Sequence, residues 1–149
     1  MRAKEFNFPV TIEWLAGTRV ATRVSGKPEI ETSSPPEFRG TDPTVWSPED
    51  FLVAATASCI AITLSGIAER RGLPLRRLSV SGEGTVGTRE DGRFGFSRMK
   101  LRVEIDTDEG MKELAREIAR EAEEGCLVAV SLDLPIETVV EISTAPAPV

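Results

Sequence analysis

No histidine and no tyrosine occur among the 149 residues, and there are only two cysteines, Cys59 and Cys126. The missing histidine excludes a Ser-His-Asp triad, a Cys-His dyad and a histidine-bearing zinc site. Any general base must then be a carboxylate, a lysine or a thiolate. Any activated cysteine must take its stabilising partner from Arg, Lys or a helix N-terminus. Basic residues are in deficit, 18 against 24 acidic, for a net charge of -6. That balance argues against a nucleic-acid partner, because phosphate binding relies on clustered Lys and Arg.

Uninterrupted apolar sequence is also scarce. The longest stretch, Phe51 to Ala68, is broken by Thr56, Ser58, Thr63 and Ser65. A membrane span needs about 20 predominantly apolar residues, so the stretch reads as a buried core helix and no membrane partner is expected. The start, Met1-Arg2-Ala3-Lys4-Glu5-Phe6, lacks the apolar region of a secretory signal. A cytoplasmic, reducing location is therefore expected, in which the cysteines are free, catalytic or redox-active rather than a permanent staple. The length suits one domain. It can bury roughly 68–70% of its unfolded surface without disulfides or a structural metal.

What is present follows a clear order. Val10 to Trp14 and Arg19 to Val24 alternate apolar and polar around the turn Ala16-Gly17, the pattern of a hairpin of half-buried strands. Arg19 and Arg23 share one face of the second strand. Glu29 to Thr32 suggests a third strand, and Ser33 to Val45 is a loop carrying Phe38 and Arg39. Trp46-Ser47-Pro48-Glu49-Asp50 is a helix start, with Ser47 as N-cap and Pro48 at the first helical position. That helix should run to about Arg71 and stop at Gly72. It is apolar on nearly every face, so burial on most faces is expected.

Leu78 to Ser81 and Met99 to Asp106 restart the strand period, with Asp91-Gly92 as a hairpin turn. Thr107-Asp108-Glu109 opens a second helix whose apolar stripe is Met111, Leu114, Ala115, Ile118 and Ala122, and Gly125 ends it. Cys126 to Leu132 suggests a further short helix, and Ile136 to Ile142 a last strand. The implied class is α+β with antiparallel sheets. About 1–45 would form N-terminal strands and loop, 46–72 the central helix, and 77–143 the second sheet with its helix.

Three motifs carry little. Gly82-Glu83-Gly84-Thr85-Val86-Gly87 fits G-x-G-x-x-G but leads into a turn, not a helix, so it reads as a bulged or flexible strand. Asp106-Thr107-Asp108 begins like a calcium loop but lacks its third ligand and glycine, and no metal is expected. Arg70-Arg71 and Arg76-Arg77 read as solvated surface.

The cysteines carry more. A single cysteine is usually a small buried hydrophobe, and these two are 67 residues apart, so they form no CxxC motif. Cys59 sits twelve residues into the long helix, beyond reach of that helix's own N-terminus; a cation from another segment would have to activate it. Cys126 follows Gly125 and stands where a helix N-terminus would favour its thiolate. Glu49 serves its own helix as a first-turn acid. It lies ten residues before Cys59, about 15 Å along a helix axis, so the two meet only across a two-fold axis.

Residues 46–59, Trp46-Ser47-Pro48-Glu49-Asp50 through Ala57-Ser58-Cys59, resemble the cysteine helix of the OsmC/Ohr family, the osmotically inducible and organic hydroperoxide resistance proteins. Gly125-Cys126-Leu127-Val128 is similar to that family's second cysteine site. The resemblance implies an intertwined homodimer and a cysteine-based peroxidase that reduces organic hydroperoxides. Cys59 would be the peroxidatic cysteine and Cys126 the resolving one, joined by a transient disulfide. A dithiol or lipoyl-type reductant would recycle it, with no bound cofactor. Glu49 would orient a catalytic arginine, which is Arg39 by one branch of the family and Arg19 or Arg23 by the other. Phe38, Trp46 and Phe51 would line the substrate pocket. Leu127 replaces the proline usual at its position, and Ile60 stands where many members have an aromatic. A non-enzymatic ligand-binding dimer and a redox sensor are the alternatives on the same fold.

Overall fold

In the computed structural model, which describes residues 3–149, the chain divides into two compact units, Met1–Phe51 and Leu52–Val149. The N-terminal unit is a three-stranded antiparallel sheet in the order β1 (Thr11–Ala16), β2 (Arg19–Arg23), β3 (Ile30–Ser33). The β1–β2 hairpin turns at Gly17, and the Trp14 indole N–H donates to the Gly17 carbonyl at 3.0 Å. The expectation of a half-buried first strand fails: every residue of β1 is exposed, including Ile12, Trp14 and Leu15. Alternation marks a strand but does not say what covers its apolar face. A single 3-10 turn, Pro36–Phe38, leads towards the long helix.

That helix, α1, runs Pro48–Arg71 as expected, and Gly72 ends it with φ +69°. Its start is a reciprocal capping box. The Asp50 N–H donates to Ser47 Oγ at 3.1 Å, and the Ser47 N–H to Asp50 Oδ2 at 2.9 Å. Such a cap stabilises a helix by about 1 kcal/mol. Burial, however, is confined to one stripe of Thr56, Ile60, Leu64, Ile67 and Ala68. Ile62 on the opposite side is 72% exposed. Leu52, Val53, Ala57 and Cys59 flank that stripe and are partly buried, so full burial on most faces is not met by this chain alone.

The second sheet holds β4 (Arg77–Thr88), β5 (Phe94–Asp108) and β6 (Ile136–Ala145). β4 and β5 are an antiparallel hairpin turning at Gly92, but β6 runs parallel to β5, so this sheet is mixed rather than antiparallel throughout. A parallel neighbour requires a crossover, here α2 (Lys112–Gly125) and the one-turn α3 (Leu127–Val130). α2 starts three residues later than Thr107-Asp108-Glu109 suggested. Tertiary pairing holds that segment in β5: the Thr107 hydroxyl donates to the Pro74 carbonyl at 2.6 Å, and Asp108 takes a two-pronged ion pair from Arg76 at 2.8 and 3.0 Å. Arg77 pairs with Asp106, and Arg71 with Glu117 and Glu121. Three of the four arginines read as solvated surface therefore form ion pairs. Asp106 and Asp108 are both engaged by arginines, and no metal-binding cluster occurs among the described residues.

The core of this unit gathers Ile60, Leu64 and Ile67 of α1, Met99, Leu101, Val103 and Ile105 of β5, Ala115, Ile118 and Ala122 of α2, and Cys126. The G-x-G run has a packing role. A Cβ on Gly82 would lie 2.9 Å from Val53 and one on Gly84 2.5 Å from Phe96 and 2.9 Å from Val53. Only glycine lets β4 pass α1 this closely, and the β4–β5 register shifts next to it, at Thr85/Val86.

Candidate functional site

The fold brings Cys59 and Cys126 together. Cys59 is half-buried on α1 and packs against the core that holds Cys126. Cys126 is fully buried and is the N-cap of α3, where its sulfur accepts the Ala129 N–H at 3.4 Å. Its Sγ also lies 4.0 Å from the Thr56 carbonyl oxygen. Both thiols are free.

Their acidities part in opposite directions. Burial pushes the Cys59 thiol up, but the Val128 N–H, the Cys126 thiol, the Leu127 N–H and the Thr63 hydroxyl all donate toward its sulfur and bring it below the ordinary thiol value. Cys126 is raised, first by burial and then by the neighbouring Cys59, against the Ala129 N–H. The pair is therefore biased so that Cys59 is the more acidic of the two thiols and Cys126 the less acidic. Two sequence expectations are corrected. Cys126 does stand at the N-terminus of α3, and the Ala129 and Val128 N–H groups favour its thiolate, but burial and the neighbouring Cys59 outweigh them, so Cys59 and not Cys126 is the thiol brought below its ordinary value. Moreover, Cys59 is acidified within its own chain without any cation. Sequence reading missed Thr63 as a partner of Cys59; its position four residues later, one helical turn on, was the available signal.

A cavity of about 210 Å³ adjoins this region, lined by Ile60, Glu123, Ala129, Val130, Leu134 and Ile136. Burial raises the Glu123 carboxyl above the usual carboxylate value.

The remaining candidates lie in the N-terminal unit. Arg19 and Arg23 are engaged on β2: Arg19 with Glu31 at 2.6 Å and Asp42 at 3.7 Å, Arg23 with Glu29 at 2.5 Å and with Glu13. The Arg39 guanidinium, by contrast, makes no ion pair with any described residue. Its backbone is left-handed, φ 69° and ψ 19°, which costs a non-glycine residue roughly 1–2 kcal/mol. A tight loop imposes that conformation. Gly40 donates to the Pro35 carbonyl at 2.9 Å, and a Cβ on Gly40 would lie 1.7 Å from the Ser34 carbonyl oxygen. Trp46 and Phe51 stack with centroids 5.6 Å apart, and Phe38 is 39% exposed. Glu49 presents a buried carboxylate oxygen, Oε2, with no hydrogen-bond partner. A buried unpaired carboxylate is costly, so this oxygen calls for a cationic or hydrogen-bonding partner.

Known proteins share this architecture. Residues 40–141 match the family model described as OsmC-like protein. The uncharacterized protein YmaD of Bacillus subtilis is 28% identical over 128 residues, 83% of this chain and 84% of that protein. An OsmC-like protein of unknown function from Vibrio cholerae superposes with a TM-score of 0.85 at 16% identity, covering 92% of this chain and 100% of that one. An organic hydroperoxide resistance protein from Elizabethkingia anophelis superposes with a TM-score of 0.74 at 17% identity, covering 97% and 100%. With the family match spanning most of its length and the same α+β architecture in these relatives, the chain belongs to the OsmC-like protein family.

Proposed function

We propose that this protein is a cysteine-based peroxidase that reduces organic hydroperoxides. The observation that carries the reading is the divided pair: Cys59 acidified and half-accessible, Cys126 buried, raised and donating to it. The Cys59 thiolate attacks the outer oxygen of ROOH. The S–O bond forms as the O–O bond breaks, and the alkoxide takes a proton to leave as ROH. Cys59 is then a sulfenic acid. The Cys126 sulfur displaces its hydroxyl, releasing water and closing a Cys59–Cys126 disulfide. An external dithiol, small or lipoyl-type, reduces that disulfide by two exchange steps and is itself oxidised. A reducing, cytoplasmic setting suits such recycling, and the chain's own residues supply the chemistry without a bound cofactor.

The active unit is a homodimer in this reading. The apolar, uncovered side of α1 around Ile62 and the exposed apolar side chains of β1 support it, because such surface is ordinarily covered by a partner. The unpaired buried oxygen of Glu49 favours an arginine supplied in the assembled dimer. Arg39 is favoured over Arg19 and Arg23, whose guanidinium groups are already held by carboxylates. Phe38, Trp46 and Phe51 would offer the apolar wall that distinguishes an alkyl hydroperoxide from hydrogen peroxide.

The test is oxidation of the reduced protein by cumene hydroperoxide, followed by intact mass and by turnover with a dithiol. The expected result is a loss of two hydrogens and steady turnover that Cys59→Ser abolishes. Full turnover by the Cys59→Ser variant would overturn the reading.

A further inference from the structure

We propose that Arg89 is a positioning residue for Cys126: its guanidinium ties the segment that follows α3 to the β4–β5 hairpin, and through that segment keeps the Cys126 sulfur in its buried seat. That this sulfur resolves a Cys59 sulfenic acid rests on the peroxidase reading; the tie itself does not. Arg89 follows β4 in the hairpin turn, where its N–H donates to the Arg93 carbonyl at 2.8 Å. Its side chain reaches two main-chain carbonyls of separate segments. Nη1 donates to Phe96 on β5 at 2.7 Å, and Nη2 to Asp133, between α3 and β6, at 2.9 Å. Arg71, Arg76, Arg77 and Arg102 hydrogen-bond to carboxylates instead. Carboxylates are near Arg89 too, but Oδ2 of Asp91 and of Asp133 lie 3.6 and 3.9 Å away, beyond hydrogen-bond distance. Nε is buried without a hydrogen-bond partner. The guanidinium is thus placed as a clasp between two stretches of backbone.

α3 needs such a clasp. It is a single turn of four residues, too short to hold itself. Leu127 and Val130 are exposed, which leaves Val128 and Ala129 to pack on the core. Clefts of about 750 and 420 Å³, both walled by Arg89, Asp133 and Leu134, leave room beside the segment. Hydrogen bonds run from the clasp back to the sulfur. The Leu132 N–H donates to the Ala129 carbonyl at 3.2 Å, and the Ala129 N–H to Cys126 Sγ at 3.4 Å. The Met99 N–H fixes the far end of the segment, donating to the Pro135 carbonyl at 2.9 Å. In the resolving step the Cys126 sulfur displaces the hydroxyl of the Cys59 sulfenic acid, and its proton leaves with that hydroxyl as water. A sulfur held in one place closes that bond faster than one on a loose segment.

The experiment measures alkylation of Cys126 by iodoacetamide in native full-length Cys59→Ser protein, at one alkaline pH and over a range of low urea concentrations. Arg89→Ala in that background should quicken alkylation about tenfold. The gain should depend only weakly on urea, as local opening does; a general loss of stability would give the steep dependence of global unfolding. Arg89→Lys, a point donor without the fork, should fall between the two. With both cysteines present, Arg89→Ala should slow disulfide closure after cumene hydroperoxide about tenfold, so that dimedone captures the Cys59 sulfenic acid. Unchanged Cys126 alkylation in a folded Arg89→Ala, a gain that carries the steep urea dependence, or unchanged disulfide closure overturns the proposal. If Arg89→Ala does not fold, Arg89→Lys against wild type decides by the same readings. A wild type that resists cumene hydroperoxide overturns the peroxidase reading and leaves the Cys126 alkylation rates to decide the clasp.

Discussion

Replacing Leu127 by proline removes one hydrogen-bond donor from the Cys59 thiolate while leaving the surrounding chain in place. Leu127 is the first residue of α3, and its side chain is 77% exposed, so little packing is lost. Proline is well tolerated at a first helical position. The residue before it must be extended, and Cys126 already is, with φ -73° and ψ 108°. The backbone therefore accepts the ring. What disappears is the N–H that donates toward the Cys59 sulfur. A hydrogen bond to a charged group contributes about 1.5–3 kcal/mol. Three other donors remain and Cys59 is partly open to water, so a loss near 1 kcal/mol is expected, somewhat under one unit of pKa. The Cys59 midpoint for alkylation should thus rise by roughly half to one pH unit, with a twofold to threefold slower rate below it. The folded state should gain about 0.4–1 kcal/mol, because proline restricts the unfolded chain. The assay is the pH profile of iodoacetamide alkylation beside a thermal melt. An unchanged midpoint in a folded variant would refute the assignment of the Leu127 N–H as a thiolate donor.

Two further perturbations test other parts of the structure. Gly82→Ala would put a Cβ 2.8 Å from Leu101 and 2.9 Å from Val53. It should cost about 1–3 kcal/mol in urea unfolding, and Val53→Ala should recover part of that loss; simple additivity of the two costs would count against the close approach of β4 to α1. Arg39→Ala should lower kcat/KM for cumene hydroperoxide by tenfold or more with the thermal midpoint kept, while Arg19→Ala should be nearly neutral in turnover; the reverse ranking would transfer the arginine's role to β2.

Much of the fold was written in local patterns. Ser47-Pro48 and Gly72 mark the ends of α1, because caps and left-handed stops are decided by a few neighbouring residues. The apolar stripe of α2 and the Asp91-Gly92 turn are equally local. The boundary at Asp108 was not, since Arg76 and the Pro74 carbonyl, distant in sequence, hold that segment in β5. The parallel direction of β6 was likewise hidden, because an alternating strand reads the same in either orientation.

The candidate site divides along the same line. Residue types removed histidine from any mechanism and left Cys59 and Cys126 as the remaining chemistry, and it was the resemblance of residues 46–59 and 125–128 to the family's cysteine sites that made them a pair. Neither could say which thiol is the acidic one. That depends on where burial and donors fall after folding: the α2–α3 turn buries Cys126 and directs the N–H groups of Leu127 and Val128 at Cys59. Sequence determines which groups are available for chemistry. Tertiary structure alone sets their solvation and their hydrogen-bond partners, and those two quantities make Cys59 the more acidic thiol and Cys126 the less acidic one.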